Sequence, residues 1–143
     1  MSNVSDELKR EIWSNFSEMQ HIFLATVDGN QPKVRPVTLI RLKDRFFVAT
    51  GSNDAKVRQL KQNPKAEFCL LLEKGESKGT LRAECSAKIV MDKGVKADVY
   101  HKVAFLKEFW KSPEDLGYTL VELQPSAFEY MKPGTIESVK VQL

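Results

Sequence analysis

A chain of 143 residues, 42% hydrophobic and 29% charged, has the size and balance expected of one globular domain spanning residues 1–143. A domain of that length buries roughly 68–70% of its unfolded surface, so it needs no disulfide or metal staple. A net charge of +3 admits a phosphorylated ligand but excludes the dense basic footprint of a dedicated nucleic-acid binder.

The first segment reads as a helix, because Val4, Leu8, Ile12, Phe16 and Met19 recur at steps of three or four. Ser5 is its expected N-cap, with Asp6 and Glu7 in the first turn. The period then changes to two. IFLATV (22–27) predicts a strand, and Asp28-Gly29-Asn30 a hairpin turn. KVRPVTLIR (33–41) predicts a second strand, Leu42-Lys43-Asp44 a turn, and RFFVAT (45–50) a third strand. A short helix over 54–62 stops at Asn63-Pro64.

AEFCLLLE (66–73) is the fourth strand, KGESKG the turn, and 80–90 the fifth strand. That strand alternates Leu81, Ala83, Cys85, Ala87 and Ile89 against Arg82, Glu84, Ser86 and Lys88. One or two helices are expected over 92–111, then strands near 118–124 and 126–131, with 134–143 a weaker strand candidate. Short strands joined by tight turns predict a mainly β (α+β) fold, a small antiparallel barrel with helices at its edges.

Cys69 and Cys85 form no C-x-x-C pair and fall in apolar or inward-facing positions, as free thiols in a reducing compartment do. No apolar run nears the ~18 residues of a membrane span, and the acidic N-terminus lacks a signal-peptide core. A cytoplasmic location is expected, with no membrane partner. His21 and His101 stand apart from each other and from cysteine or carboxylate clusters, so no metal site is expected.

Two stretches carry chemistry. In the second strand, Pro36 removes a ladder donor and so belongs at an edge or bulge, and Arg35 precedes it in an otherwise apolar run. Arg35 reads either as a charged edge gatekeeper or as a ligand cation. Residues 48–64, VATGSNDAKVRQLKQNP, place Thr50, Gly51, Ser52 and Lys56 between a strand end and a helix start. Free backbone N–H groups, a helix dipole, two hydroxyls and a lysine can hold a phosphate. The alternative is an ordinary helix capped by Asp54 or Ser52, with Lys56 in solvent. If the hairpin brings Arg35 alongside the third strand, two cations converge, which favours an anionic ligand.

The order HIFLATVDGNQPKVRPVTLI, RFFVATGSNDAKVRQLKQNP, an alternating strand and a late aromatic helix resembles the pyridoxamine 5′-phosphate oxidase-like, FMN-binding split barrels over about residues 15–131. The combination of VRPV with T-G-S-x-x-x-K and a helix ending in NP carries the resemblance. It implies a six-stranded antiparallel split β-barrel, a homodimer, and FMN at the subunit interface. By similarity Arg35 and Lys56 grip the FMN phosphate with Thr50 and Ser52, and the backbone of Pro36, Val37, Thr38 and Leu39 runs along the isoalloxazine edge. Ala49 packs near the phosphate turn, Thr80 reaches the ring region, and Trp110 comes from the partner subunit. No catalytic side chain is implied.

The chain also departs from the pattern. Pyridoxamine phosphate oxidases carry a Ser-Arg-Lys cluster where this sequence reads Asp54-Ala55-Lys56, so a cation is missing and an acid stands close by unless Asp54 caps the helix. The sequence also lacks the extension bearing the pyridoxal-phosphate-binding Arg and His. It resembles instead the short, general-stress-protein-like members, and an FMN-dependent oxidoreductase other than a vitamin B6 oxidase is expected. Alternatives are a deazaflavin-binding barrel, for whose acidic tail Lys33, Arg41 and Arg58 leave a larger basic groove open, a haem-binding barrel, and a flavin sensor or storage protein without turnover. A nucleic-acid-binding barrel ranks last, because the exposed side of the fifth strand offers Arg82, Glu84, Ser86 and Lys88 rather than aromatics.

Overall fold

Period-two patterning with one wet face produces a meander of antiparallel strands. The computed structural model describes the backbone from Asn3 to Leu143 and the side chains from Asp6 onward. Along the chain come α1 (Asn3–Trp13), β1 (Met19–Asp28), β2 (Gln31–Leu42), β3 (Arg45–Gly51), α2 (Ala55–Gln62), β4 (Lys65–Lys74) and β5 (Ser77–Ile89). Then follow α3 (Lys93–Lys102), a 3-10 turn (Ala104–Glu108), β6 (Tyr118–Met131) and β7 (Val139–Gln142).

The strand order is β3-β2-β1-β4-β5-β6-β7, and β3 pairs again with β6. Strands β1 to β6 therefore close a ring of antiparallel strands, and β7 hangs on β6 outside it. Two seams are short. β2 meets β3 only at Ile40–Leu42 against Phe47–Arg45, and β1 meets β4 only at Phe23–Ala25 against Cys69–Glu67. The ring is thus a split barrel. Pro36 pairs with Phe23 on β1, while its other edge lies beyond the reach of β3. The missing N–H of Pro36 is tolerated there, as expected of an edge.

Alternation along β3 serves two cores. Phe46 and Val48 point into the barrel with Leu24, Phe68, Leu81, Leu123 and Phe128, where Ile12 of α1 closes one end. Phe47 points outward and packs with Ile40, Leu120 and Tyr118 beneath Val99, Tyr100 and Leu106. Each such buried large side chain contributes about 1.5–3 kcal/mol relative to exposure.

The structure corrects several expectations. α1 stops at Trp13, because the Ser14 hydroxyl and the Asn15 amide both donate to the Glu11 carbonyl at the helix end. Phe16 enters the core from the loop instead, and Met19 opens β1 with nearly half its surface exposed. The helix begins at Asn3, ahead of the expected cap; the side chains of Val4 and Ser5 lie outside the described residues. The two strands expected around Pro125 are one, β6. Glu84 pairs with Ala127 and Cys85 with Pro125, so Ser126 is the extra residue of a bulge that accommodates the proline. Residues 92–111 divide at Val103 into α3 and the 3-10 turn, and the tail forms the short β7. Among the described residues, no helix is long and apolar enough to cross a membrane.

Candidate phosphate-binding site

In β1 the buried positions Ile22, Leu24 and Thr26 face inward, and Arg35 on β2 stands directly opposite Leu24. Arg35 therefore points to the inner face, at the end of the ring that α2 packs against. Its Nη1 donates to the Leu24 carbonyl at 3.1 Å and its Nη2 to Gln59 Oε1 of α2 at 2.9 Å. Here the structure corrects the expected geometry: Arg35 meets α2, not β3, because the β2–β3 ladder lapses beyond Ile40. Partial burial lowers the Arg35 guanidinium pKa, and the Asp54 charge opposes that shift.

The turn after β3 is tightly bonded. The Ser52 amide donates to the Gly117 carbonyl at 2.9 Å, and the Asp54 amide to the Gly51 carbonyl at 3.0 Å. Asp54 caps α2, its Oδ1 accepting from the Lys56 amide at 3.2 Å. The Lys56 side chain does not run into solvent. It is buried, with Nζ 2.8 Å from Thr50 Oγ1 and 2.9 Å from Asp54 Oδ2. Burial pushes the Asp54 carboxyl up, but the Lys56 ammonium and amide and the Thr50 hydroxyl outweigh it and hold the group below its ordinary value.

Gly51 ends β3 with an open flank. A methyl group there would meet no atom within 4 Å, and its φ lies outside the left-handed region. Neither packing nor backbone conformation requires glycine at this position.

The other expected site residues are placed as follows. Val37 and Leu39 point into the barrel core, whereas Pro36 and Thr38 alternate outward on the unpaired stretch of β2. Ala49 faces the outer core beneath α3. The Ser52 hydroxyl donates to the Leu116 carbonyl at 2.7 Å and lies 2.8 Å from Thr119 Oγ1. Thr80 is half-buried and pairs with Leu71 and Met131, with β4 and β1 between it and β2. Trp110 is half-buried, its ring 5.2 Å from that of Tyr118, and its carbonyl accepts from Tyr100 Oη at 2.7 Å. It flanks Gly117, the residue that binds the Ser52 amide.

Sequence reasoning missed Thr26 and Gln59. Both are buried, and the Thr26 hydroxyl donates to Gln59 Oε1 at 2.6 Å. One signal was available, a hydroxyl on the inward phase of an apolar strand.

The sequence model of the family described as pyridoxamine 5′-phosphate oxidase matches residues 8–132. The chain belongs to that family. No curated protein matches it. Among solved structures, general stress protein 26 from Bacillus anthracis superposes with a TM-score of 0.77 at 23% identity, covering 96% of this chain and 99% of that one. A NimC/NimA family protein from Clostridium acetobutylicum gives 0.73 at 19% identity, covering 96% and 91%. HutZ, the haem storage protein from Vibrio cholerae, gives 0.63 at 18% identity, covering 91% and 94%. At these identities the likeness is one of fold.

Proposed function

We propose that this chain is an FMN-binding flavoprotein, a homodimer that works as an oxidoreductase in the cytoplasm. The observation that carries the reading is the arrival of Arg35 from β2 and Lys56 from α2 at one end of the barrel, beside Thr50 and the open flank of Gly51. Arg35 spends two of its five N–H donors on protein atoms and Lys56 two of its three, so both retain donors for a phosphate. A ligand approaching the backbone at Gly51 meets no side chain there. The edge of β2 over residues 36–39, unpaired by β3, is where the flavin ring would run, with the second subunit's Trp110 completing its surroundings; Thr80, separated from β2 by two strands in the same chain, stands outside that surface. Bound FMN supplies hydride or electron transfer. The chain's own residues hold the phosphate and orient the ring.

The second copy is supported by an exposed apolar strip. Val34, Met19, Phe23 and Leu71 lie on the outer face of adjacent strands β2, β1 and β4. Free thiols at Cys69 and Cys85 suit a reducing compartment.

The test is an absorbance spectrum of the purified protein before and after loading with FMN, followed by FMN titration of Arg35→Ala and Lys56→Ala. Each substitution is expected to weaken binding by about 1.5–3 kcal/mol. Unchanged affinity in both removes the phosphate assignment. A Soret band in place of the flavin bands would put haem in the barrel, as in the haem-storage relative of this fold.

A further inference from the structure

Asp54 makes two separable contacts. Oδ1 caps α2 through the Lys56 amide, and Oδ2 lies 2.9 Å from Lys56 Nζ. A helix cap needs only the first. The Lys56 side chain is 10% exposed and that of Asp54 44%, so the carboxylate stands on the solvent side of a buried ammonium. An anion approaching Lys56 from solvent meets this carboxylate first. Two anions sharing one partly desolvated cation repel each other at short range, where screening by salt is weak.

We infer that Asp54 is a built-in competitor for the anionic ligand, a specificity-determining residue that holds down the site's affinity for a phosphate. The inference rests on the phosphate-binding reading above. In the free protein the carboxylate stands in for the ligand's anion and keeps the buried ammonium paired. On binding, the phosphate either displaces Oδ2 or shares Lys56 with it. In both cases the phosphate gains less than an uncontested lysine would give. Arg35 gives its hydrogen bonds to Gln59 and Leu24 and, among the described residues, to no carboxylate, so the Asp54 charge reaches it only through space and contests it less directly than it contests Lys56.

Asn and Ser cap helices about as well as Asp, so Asp54→Asn and Asp54→Ser remove the charge and keep the cap. The experiment titrates the wild-type protein and both variants with FMN and with riboflavin, which lacks the phosphate, and checks folding by thermal unfolding. The expected result is FMN binding up to about fivefold tighter in both variants with riboflavin affinity unchanged, fivefold being the upper end of what one half-exposed charge pair supplies. FMN binding by the variants where the wild type shows none is the same result in stronger form. Unchanged or weaker FMN affinity in the folded variants overturns the inference and leaves the FMN reading standing. An equal gain for riboflavin also overturns it, because the effect would then not act on the phosphate. Failure of all three proteins to bind FMN overturns the inference together with the cofactor reading.

Discussion

The Gln59 side-chain oxygen accepts the Thr26 hydroxyl at 2.6 Å and, with its other lone pair, Arg35 Nη2 at 2.9 Å. Gln59 is 3% exposed and Thr26 1%, so neither bond can be exchanged for water at little cost. Gln59→Leu would leave a buried hydroxyl and half of a guanidinium fork without partners. We expect it to lower stability by about 1–3 kcal/mol in urea unfolding and to weaken FMN binding by releasing Arg35. Gln59→Glu keeps both acceptor bonds and should hold stability, yet still weaken FMN, because its carboxylate neutralises Arg35. A Glu variant that bound FMN as tightly as the wild type would show that Arg35 does not meet the phosphate.

A second buried charge stands far from that site. Glu122 on β6 is 8% exposed and receives both Nε and Nη2 of Arg45 at 2.9 Å, while the Arg45 guanidinium lies 5.1 Å above the Phe47 ring. Removing one partner strands a largely buried carboxylate. Arg45→Ala should cost about 1–3 kcal/mol in chemical denaturation. Adding Glu122→Gln should recover part of that loss, since an amide is less costly to bury alone. Strict additivity in the double variant would mean that the pair is not coupled.

The ring of strands was legible because each strand has one wet face, so alternation shows in the chain, and because its turns carry Gly, Asn and Asp. Two features were not. Phe16 and Met19 continue the helical spacing of α1 although the Ser14 and Asn15 side chains end it, and Pro125 reads as a break where a bulge absorbs it. At the candidate site, Thr50, Asp54 and Lys56 were visible because they are neighbours in sequence. The partner of Arg35 was not, because the lapse of the β2–β3 ladder after Ile40 depends on how the strands splay, which no local pattern encodes. Thr26 was absorbed into an apolar strand, and its role exists only through a helix 33 residues away.

At alkaline pH three buried groups act together. Cys85 is raised from 9.0 to about 12 by burial, and Tyr118 from 10.0 to about 12 by burial. Tyr130 rises from 10.0 to about 12 through burial and its bond to Glu11. Each keeps its proton in the folded protein at pH values where the unfolded chain has lost it. The native state therefore binds more protons between about pH 9 and 12, and stability falls as pH rises through that window. Below pH 9 this contribution is fully present. Urea unfolding from pH 8 to 11 should show the decline, and Cys85→Ala should flatten its first part, between pH 9 and 10. Parallel slopes for the two proteins would remove Cys85 from this account.

Gly51 separates ligand approach from protein packing. Because a methyl group there would meet no protein atom within 4 Å and its φ is not left-handed, Gly51→Ala introduces no clash and no backbone strain. The substitution also narrows the unfolded ensemble, so the variant should be equally stable or more stable by about 0.4–1 kcal/mol. By contrast, a methyl on Gly79 would lie 2.3 Å from the Met131 carbonyl oxygen, and Gly79→Ala should lose about 1–3 kcal/mol by overpacking against backbone. If the flavin phosphate rests against the turn that follows β3, the added methyl of Gly51→Ala occupies its space. FMN affinity should then fall by at least about 1 kcal/mol in a protein whose thermal unfolding is unimpaired. That combination has no structural explanation other than a ligand at the turn. Undiminished FMN affinity in Gly51→Ala would move the phosphate away from residues 50–56 and leave Lys56 a buried ion-pair partner of Asp54 with a structural role alone.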